Sequence, residues 1–135
     1  MVELGSQSVA ESDIIEFARQ YDPQPIHIDP DAAGRSSFGG LIASGWHTGA
    51  LFMRLLVTNL IAKTSSMGSP GMEDLRWPLP VRPGDTLTAQ IEVLETRLSN
   101  SRPAMGIVRW RGEVRNQDGR LVMSATGTNF FGRQP

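Results

Sequence analysis

The segment from Leu41 to Ala62 is apolar around most of the circumference of any helix it forms. A helix of that kind must be wrapped by other elements rather than laid on a surface. Trp46, Leu51, Leu55 and Ile61 all require burial, and the helix is expected from about Ala43 to Lys63. Its length approaches a membrane span, but His47, Arg54 and Asn59 interrupt it, which favours a buried central helix over a transmembrane one.

The flanking sequence says what does the wrapping. Ile14, Phe17, Ala18 and Tyr21 fall at i, i+3, i+4 and i+7, the stripe of an amphipathic helix over residues 10–21. Ser8 and Glu11 offer that helix a capping box. After the long helix, Ser65, Ser66, Gly68, Ser69, Pro70 and Gly71 read as a flexible connection. From Met72 onward the chain turns to β structure. Leu87 to Glu95 and Ile107 to Arg115 alternate apolar with polar, and Leu121 to Phe131 is a third candidate strand. Pro83-Gly84 fits a type II turn and Asp118-Gly119 a tight hairpin. One polar face per strand implies an antiparallel sheet covered on one side. The segregated order of helices and strands gives an α+β fold, with residues 1–135 as one domain. The sheet edges would be resolved by pairing between two copies of the chain.

Composition narrows the function. A net charge of −1 offers no footprint for nucleic acid. Zero cysteines exclude disulfides, thiolate metal sites and cysteine nucleophiles. Two histidines make a poor metal set, and neither a metal nor a cofactor is expected. The N-terminal residues lack the basic and apolar regions of a signal peptide, so a cytoplasmic location is expected.

The chemistry concentrates in Asp22-Pro23-Gln24-Pro25-Ile26-His27-Ile28-Asp29-Pro30, followed by Ala43-Ser44-Gly45-Trp46-His47. Asp22 and His27 lie five positions apart, with Pro23 and Pro25 between them. Proline restricts itself and its predecessor, so this stretch reads as a stiff, extended loop that holds a base and an acid in fixed relation. Alternation in Ile26-His27-Ile28 would set His27 opposite two isoleucines. Gly45 opens the long helix, where bare N–H groups favour a developing negative charge.

Each residue also has a plainer reading. Asp22 could simply bond turn amides, and His27 could be a loop histidine bonded to a carbonyl. His47 reads as a structural or surface histidine, and a protonated imidazole there would oppose the helix dipole. Ser44 is the expected helix N-cap, and neither it nor Thr48 sits in a nucleophile elbow. Asp29 is expected to bond the turn from Pro30 to Ala33. Gly45 could serve close packing, or it could let a carbonyl approach the backbone.

The stretch from Phe17 to Leu56 resembles the MaoC-like acyl dehydratases, a family that includes R-specific enoyl-CoA hydratases. Their signature pairs an Asp and a His five positions apart; Gln24 stands here where they most often carry Asn. Pro80-Val81-Arg82-Pro83-Gly84-Asp85-Thr86-Leu87 also looks like their turn into a central strand. The resemblance implies a hot-dog fold, an antiparallel sheet wrapped around one long central helix. It implies a dimer or an oligomer of dimers, and an acyl-CoA substrate with an (R)-3-hydroxyacyl product. Asp22 would be the base for water attack at C3, and His27 would position the water and pass a proton to C2. The Gly45 N–H would stabilise the thioester oxygen. A free Asp titrates near about 4, so the base would need an apolar wall, for which Phe17, Phe38 and Trp46 are candidates. A hot-dog thioesterase would need a carboxylate on the long helix, and residues 43–62 contain neither Asp nor Glu. A non-catalytic acyl-CoA-binding or partner subunit would need neither Asp22 nor His27.

Overall fold

A computed structural model describes residues 1–132 of the chain. Its backbone is β1 (Val2–Ser8), α1 (Glu11–Tyr21), α2 (Pro25–Ile28), α3 (Pro30–Gly34), α4 (Gly45–Asn59), a single 3₁₀ turn (Ile61–Lys63), β2 (Gly71–Arg76), β3 (Thr86–Leu98), β4 (Met105–Arg115) and β5 (Leu121–Gly132). The five strands form one antiparallel sheet in the order β1-β3-β4-β5-β2. The α+β architecture with its central helix is the one expected from the sequence.

The core lies between α4 and the inner face of the sheet. In β3 the alternation buries Leu87, Ala89 and Ile91. They meet Phe52, Leu55 and Leu56 of α4, together with Trp110, Val114 and Ala125 from β4 and β5. Phe52 packs on Trp110 with ring centroids 5.5 Å apart. Two glycines make room for this pair. A Cβ on Gly112 would fall 2.5 Å from Phe52 Cζ, and one on Gly127 would collide with the Trp110 indole. Burying a side chain such as Phe52 contributes about 1.5–3 kcal/mol.

Both turns form as expected, with Gly84 at φ +86° and Gly119 at +75°, the left-handed region that type II and hairpin turns need.

Several expectations fail. Residues 2–8 form an edge strand paired with β3, although their own pattern is not a clean alternation: the register shifts between Glu3 and Gly5. Ser8 therefore belongs to β1, and α1 starts from Ala10 with no side-chain cap in place of the expected capping box. The proline stretch is extended only as far as Gln24 and is largely helical from Pro25. Pro25 and Pro30 each occupy the first turn of a short helix, where the fixed φ is already helical and the missing N–H is not needed. Proline at those positions starts a helix instead of preventing one. The long helix begins at Gly45 and ends at Asn59, shorter at both ends than expected. Its expected burial holds only in part. Leu55 and Ile61 are buried, whereas Trp46 is 60% exposed and shares an open stripe with Met53 and Val57.

Candidate active site

Asp22 ends α1. Its N–H still donates to Ala18 O at 2.8 Å, and Pro23 stops the helix there. The chain then turns directly into α2, where His27 sits buried. The helical turn brings the imidazole back over Asp22, with Nε2 3.3 Å from Oδ2. The expected alternation of His27 against Ile26 and Ile28 does not apply, because α2 is helical.

His27 Nδ1 lies 2.7 Å from Ile42 O. A carbonyl only accepts, so Nδ1 carries the hydrogen. Ile42 N–H in turn donates to Ile26 O at 3.1 Å, which ties α2 to the segment before α4. With Nδ1 protonated, Nε2 is the nitrogen that gains or loses a proton, and its contact with Asp22 Oδ2 is attractive when a proton lies between them. The plain reading of His27, bonded to a carbonyl, holds at Nδ1, while Nε2 faces the Asp22 carboxylate.

Asp22 is held at both oxygens. Gln24 Nε2 donates to Oδ1 at 2.7 Å, and Ser44 Oγ donates to Oδ2 at 2.7 Å. These bonds favour the ionised form. The Gln24 bond contributes most to holding the carboxyl below its ordinary 3.8, burial opposes it, and the Ser44 bond and the nearby His27 charge add to the lowering. The expected apolar wall does not raise Asp22 on balance, because the hydrogen bonds outweigh burial. Trp46 points to solvent, and Phe17 stacks on His47 with centroids 4.8 Å apart and planes 11° off parallel. Phe38 lines a cavity.

Ser44 caps α4 as expected, accepting from Trp46 N–H at 3.2 Å, and it is fully buried. His47 N–H reaches Ser44 O at 3.0 Å. Gly45, the first helical residue, therefore presents its amide at the positive end of the α4 dipole. It borders a cavity of about 250 Å³ that also touches His27, Phe38, Thr48 and Trp77. Trp77, on the loop leaving β2, packs against Gly45, and a Cβ there would lie 2.5 Å from Trp77 Cε2 and 2.8 Å from Cε3. The packing reading of Gly45 is thus realised, by a residue that the sequence did not flag.

His47 lines a different cleft, between α1 and α4, with Asp13, Glu16 and Arg54. It is buried and not on the surface, and among the described residues its Nδ1 has no hydrogen-bond partner. Burial is the main cause that lowers its pKa; Asp13 opposes this and Arg54 adds to it. Asp29 accepts from Asp31 N–H and Ala32 N–H at 3.0 and 3.3 Å and caps α3, as expected. Among the described residues, no three His, Cys, Asp or Glu side chains gather into a metal-binding group, and no helix is long and apolar enough to cross a membrane.

An antiparallel sheet packed on one helix, with an Asp–His pair at that helix's N-terminal end, defines a protein of the hot-dog class. The chain belongs to the MaoC like domain family, whose profile matches residues 3–109. A MaoC-like dehydratase structure from Rhodospirillum rubrum superposes with a TM-score of 0.90 at 43% identity, covering 99% of this chain and 91% of that one. The R-hydratase PhaJ1 of Pseudomonas aeruginosa gives 0.78 at 29% identity, over 96% of this chain and 78% of its own. A 3-hydroxybutyryl-CoA dehydratase of Methylorubrum extorquens is 32% identical over 96 residues, which is 70% of this chain and 59% of that protein. The chain spans roughly three-fifths of the length of the curated relatives it matches first, 64% and 59%.

Proposed function

We propose that this chain, acting as one hot-dog domain, adds water reversibly across the 2,3 double bond of an enoyl-CoA to give a 3-hydroxyacyl-CoA, with the R product that its resemblance implies. The observation that carries the reading is the Asp22–His27 contact of 3.3 Å beside a cavity that reaches the N-terminus of α4.

In this mechanism Asp22 accepts a proton from water as the oxygen attacks C3, and the His27 Nε2 proton goes to C2. The Gly45 N–H receives the charge that develops on the thioester oxygen. One such donor is typically worth about 3 kcal/mol of barrier. The proton on Asp22 then crosses to Nε2 and restores the pair, so that one water has added in full. Because one dyad delivers both parts, addition is syn.

Asp22 is a weaker base than a free carboxylate, which costs driving force. In return it is ionised throughout the neutral range, and Gln24 and Ser44 keep both its oxygens oriented. A thioesterase would need an acidic side chain on α4, and Gly45–Asn59 has none.

The unpaired outer edges of β1 and β2 and the open stripe of Trp46, Met53 and Val57 support association of two copies. A cytoplasmic homodimer or larger oligomer completes the reading.

The test is the ultraviolet absorbance of the enoyl thioester. Loss of the band without free thiol supports hydration, thiol release would mean hydrolysis, and binding with neither signal would mean a non-catalytic module.

A further inference from the structure

The Trp77 indole occupies the space that any side chain on Gly45 would need, and it is braced edge-on by Trp46, with centroids 5.2 Å apart. It is 40% exposed, so it belongs to the rim of the site and not to the core. Phe38 faces the same cavity. Its bend is pinned by Arg82, whose guanidinium donates to Phe38 O at 2.6 Å and to Gly40 O at 3.3 Å. The cavity beside His27 is therefore narrowed by two aromatic rings, each fixed by an identifiable contact.

We propose that Trp77, seated on Gly45, is the residue that determines acyl specificity, and that it restricts the site to short, uncharged enoyl groups. This rests on the hydratase reading and names the substrate class of the same site. A volume of about 250 Å³ falls below the roughly 300–1,000 Å³ of pockets that enclose larger ligands. Its walls are mostly apolar, with Thr48 and His27 the polar side chains. Beyond His27 the lining includes Ile42, Leu79, Val81 and Val122 and no Asp, Glu, Lys or Arg. Arg82 follows this wall in sequence but does not line the cavity, and it donates through Nη1 and Nη2 to the Gly40 and Phe38 carbonyls. His27 already faces the Asp22 carboxylate, so a carboxylate on the acyl group would be stripped of water there without a cationic partner of its own.

The experiment measures kcat/KM for crotonyl-CoA, trans-2-octenoyl-CoA and mesaconyl-CoA with the wild type, Trp77→Ala and Trp77→Leu. The wild type is expected to favour crotonyl-CoA over both others. In Trp77→Ala the ratio of octenoyl to crotonyl activity should rise by about tenfold or more, the scale on which a pocket senses added methylenes, with Trp77→Leu between the two. An unchanged ratio in both folded variants would overturn the assignment while leaving the hydratase reading intact. So would a wild type that prefers octenoyl-CoA, or one that hydrates mesaconyl-CoA as well as crotonyl-CoA. A wild type that hydrates no enoyl-CoA would remove the hydratase reading and this proposal together.

A cycle with Gly45→Ala tests the seat itself. Gly45→Ala keeps the N–H but displaces the indole, so it should lose crotonyl-CoA activity. Gly45→Ala combined with Trp77→Ala should regain the level of Trp77→Ala alone. Failure to regain it would mean that the new Cβ obstructs substrate directly, and that Gly45 is not there for Trp77.

Discussion

Asp22 and His27 are coupled through a single 3.3 Å contact, and they should fail as a unit. Asp22→Asn nearly preserves shape but removes the base, and turnover should fall by about 10²-fold or more with the fold intact. His27→Gln should cost a similar factor, and the double mutant should be little worse than either single one. Steady-state kinetics on folded proteins check this; losses that multiply would separate the two roles. Gln24 supplies a second prediction. Its amide reaches Asp22 Oδ1 at 2.7 Å, so the longer arm relative to Asn is put to use on the carboxylate. That bond lowers the Asp22 pKa, and Gln24→Ala should raise it. The acid limb of kcat/KM should move to higher pH while the plateau is largely kept. A limb that stays in place would show that Gln24 does not act on the carboxylate.

Among the elements, α2 and α3 do the positioning, and both are too short to be stable alone. Asp29 holds their junction, since its backbone N–H closes α2 on Pro25 O at 2.9 Å while its side chain caps α3. Asp29→Ala should cost about 1 kcal/mol, the usual value of such a cap, and thermal or denaturant unfolding measures it. No loss at all would mean that α3 is held by packing, for example through buried Ala33. In the sequence, proline reads as a helix breaker, which conceals these helices. Its position decides the matter: at the first turn it is a starter, and only the fold reveals where the first turn lies. The same ambiguity hid β1, whose strand character depends on pairing with residues some eighty positions away.

At the scale of the whole molecule, His47 gives stability a pH dependence. Its folded pKa is lowered from 6.5, mainly by burial, so the native state resists protonation more than the unfolded chain does. The associated stabilisation is complete above 6.5 and is lost as pH falls from 6.5 towards the folded value. Wild-type protein should therefore lose more melting temperature between neutral and mildly acidic pH than His47→Gln does. Turnover of His47→Gln at neutral pH should stay within a few-fold of wild type, since His47 lines a cleft apart from that of His27. Equal pH slopes would contradict the first statement, and a collapse of activity like that of His27→Gln would contradict the second.

The sequence by itself determined the apolar helix, the alternating strands after Met72, the two glycine turns and the spacing of Asp22 and His27. All of these are local patterns, set by helical or strand periodicity and by backbone restrictions that act over a few residues. The tertiary structure decided which groups surround the carboxylate and the cavity. Ser44 reaches Asp22 across 22 residues of sequence, and Ile42 fixes the tautomer of His27 across 15. Trp77 comes from the far side of α4 and β2 to fill the place of a missing Cβ on Gly45. No periodicity encodes such contacts, because they exist only once separate elements have packed together. Trp46 marks the boundary: its apolarity is plain in the sequence, but its 60% exposure depends on which side of α4 the sheet covers.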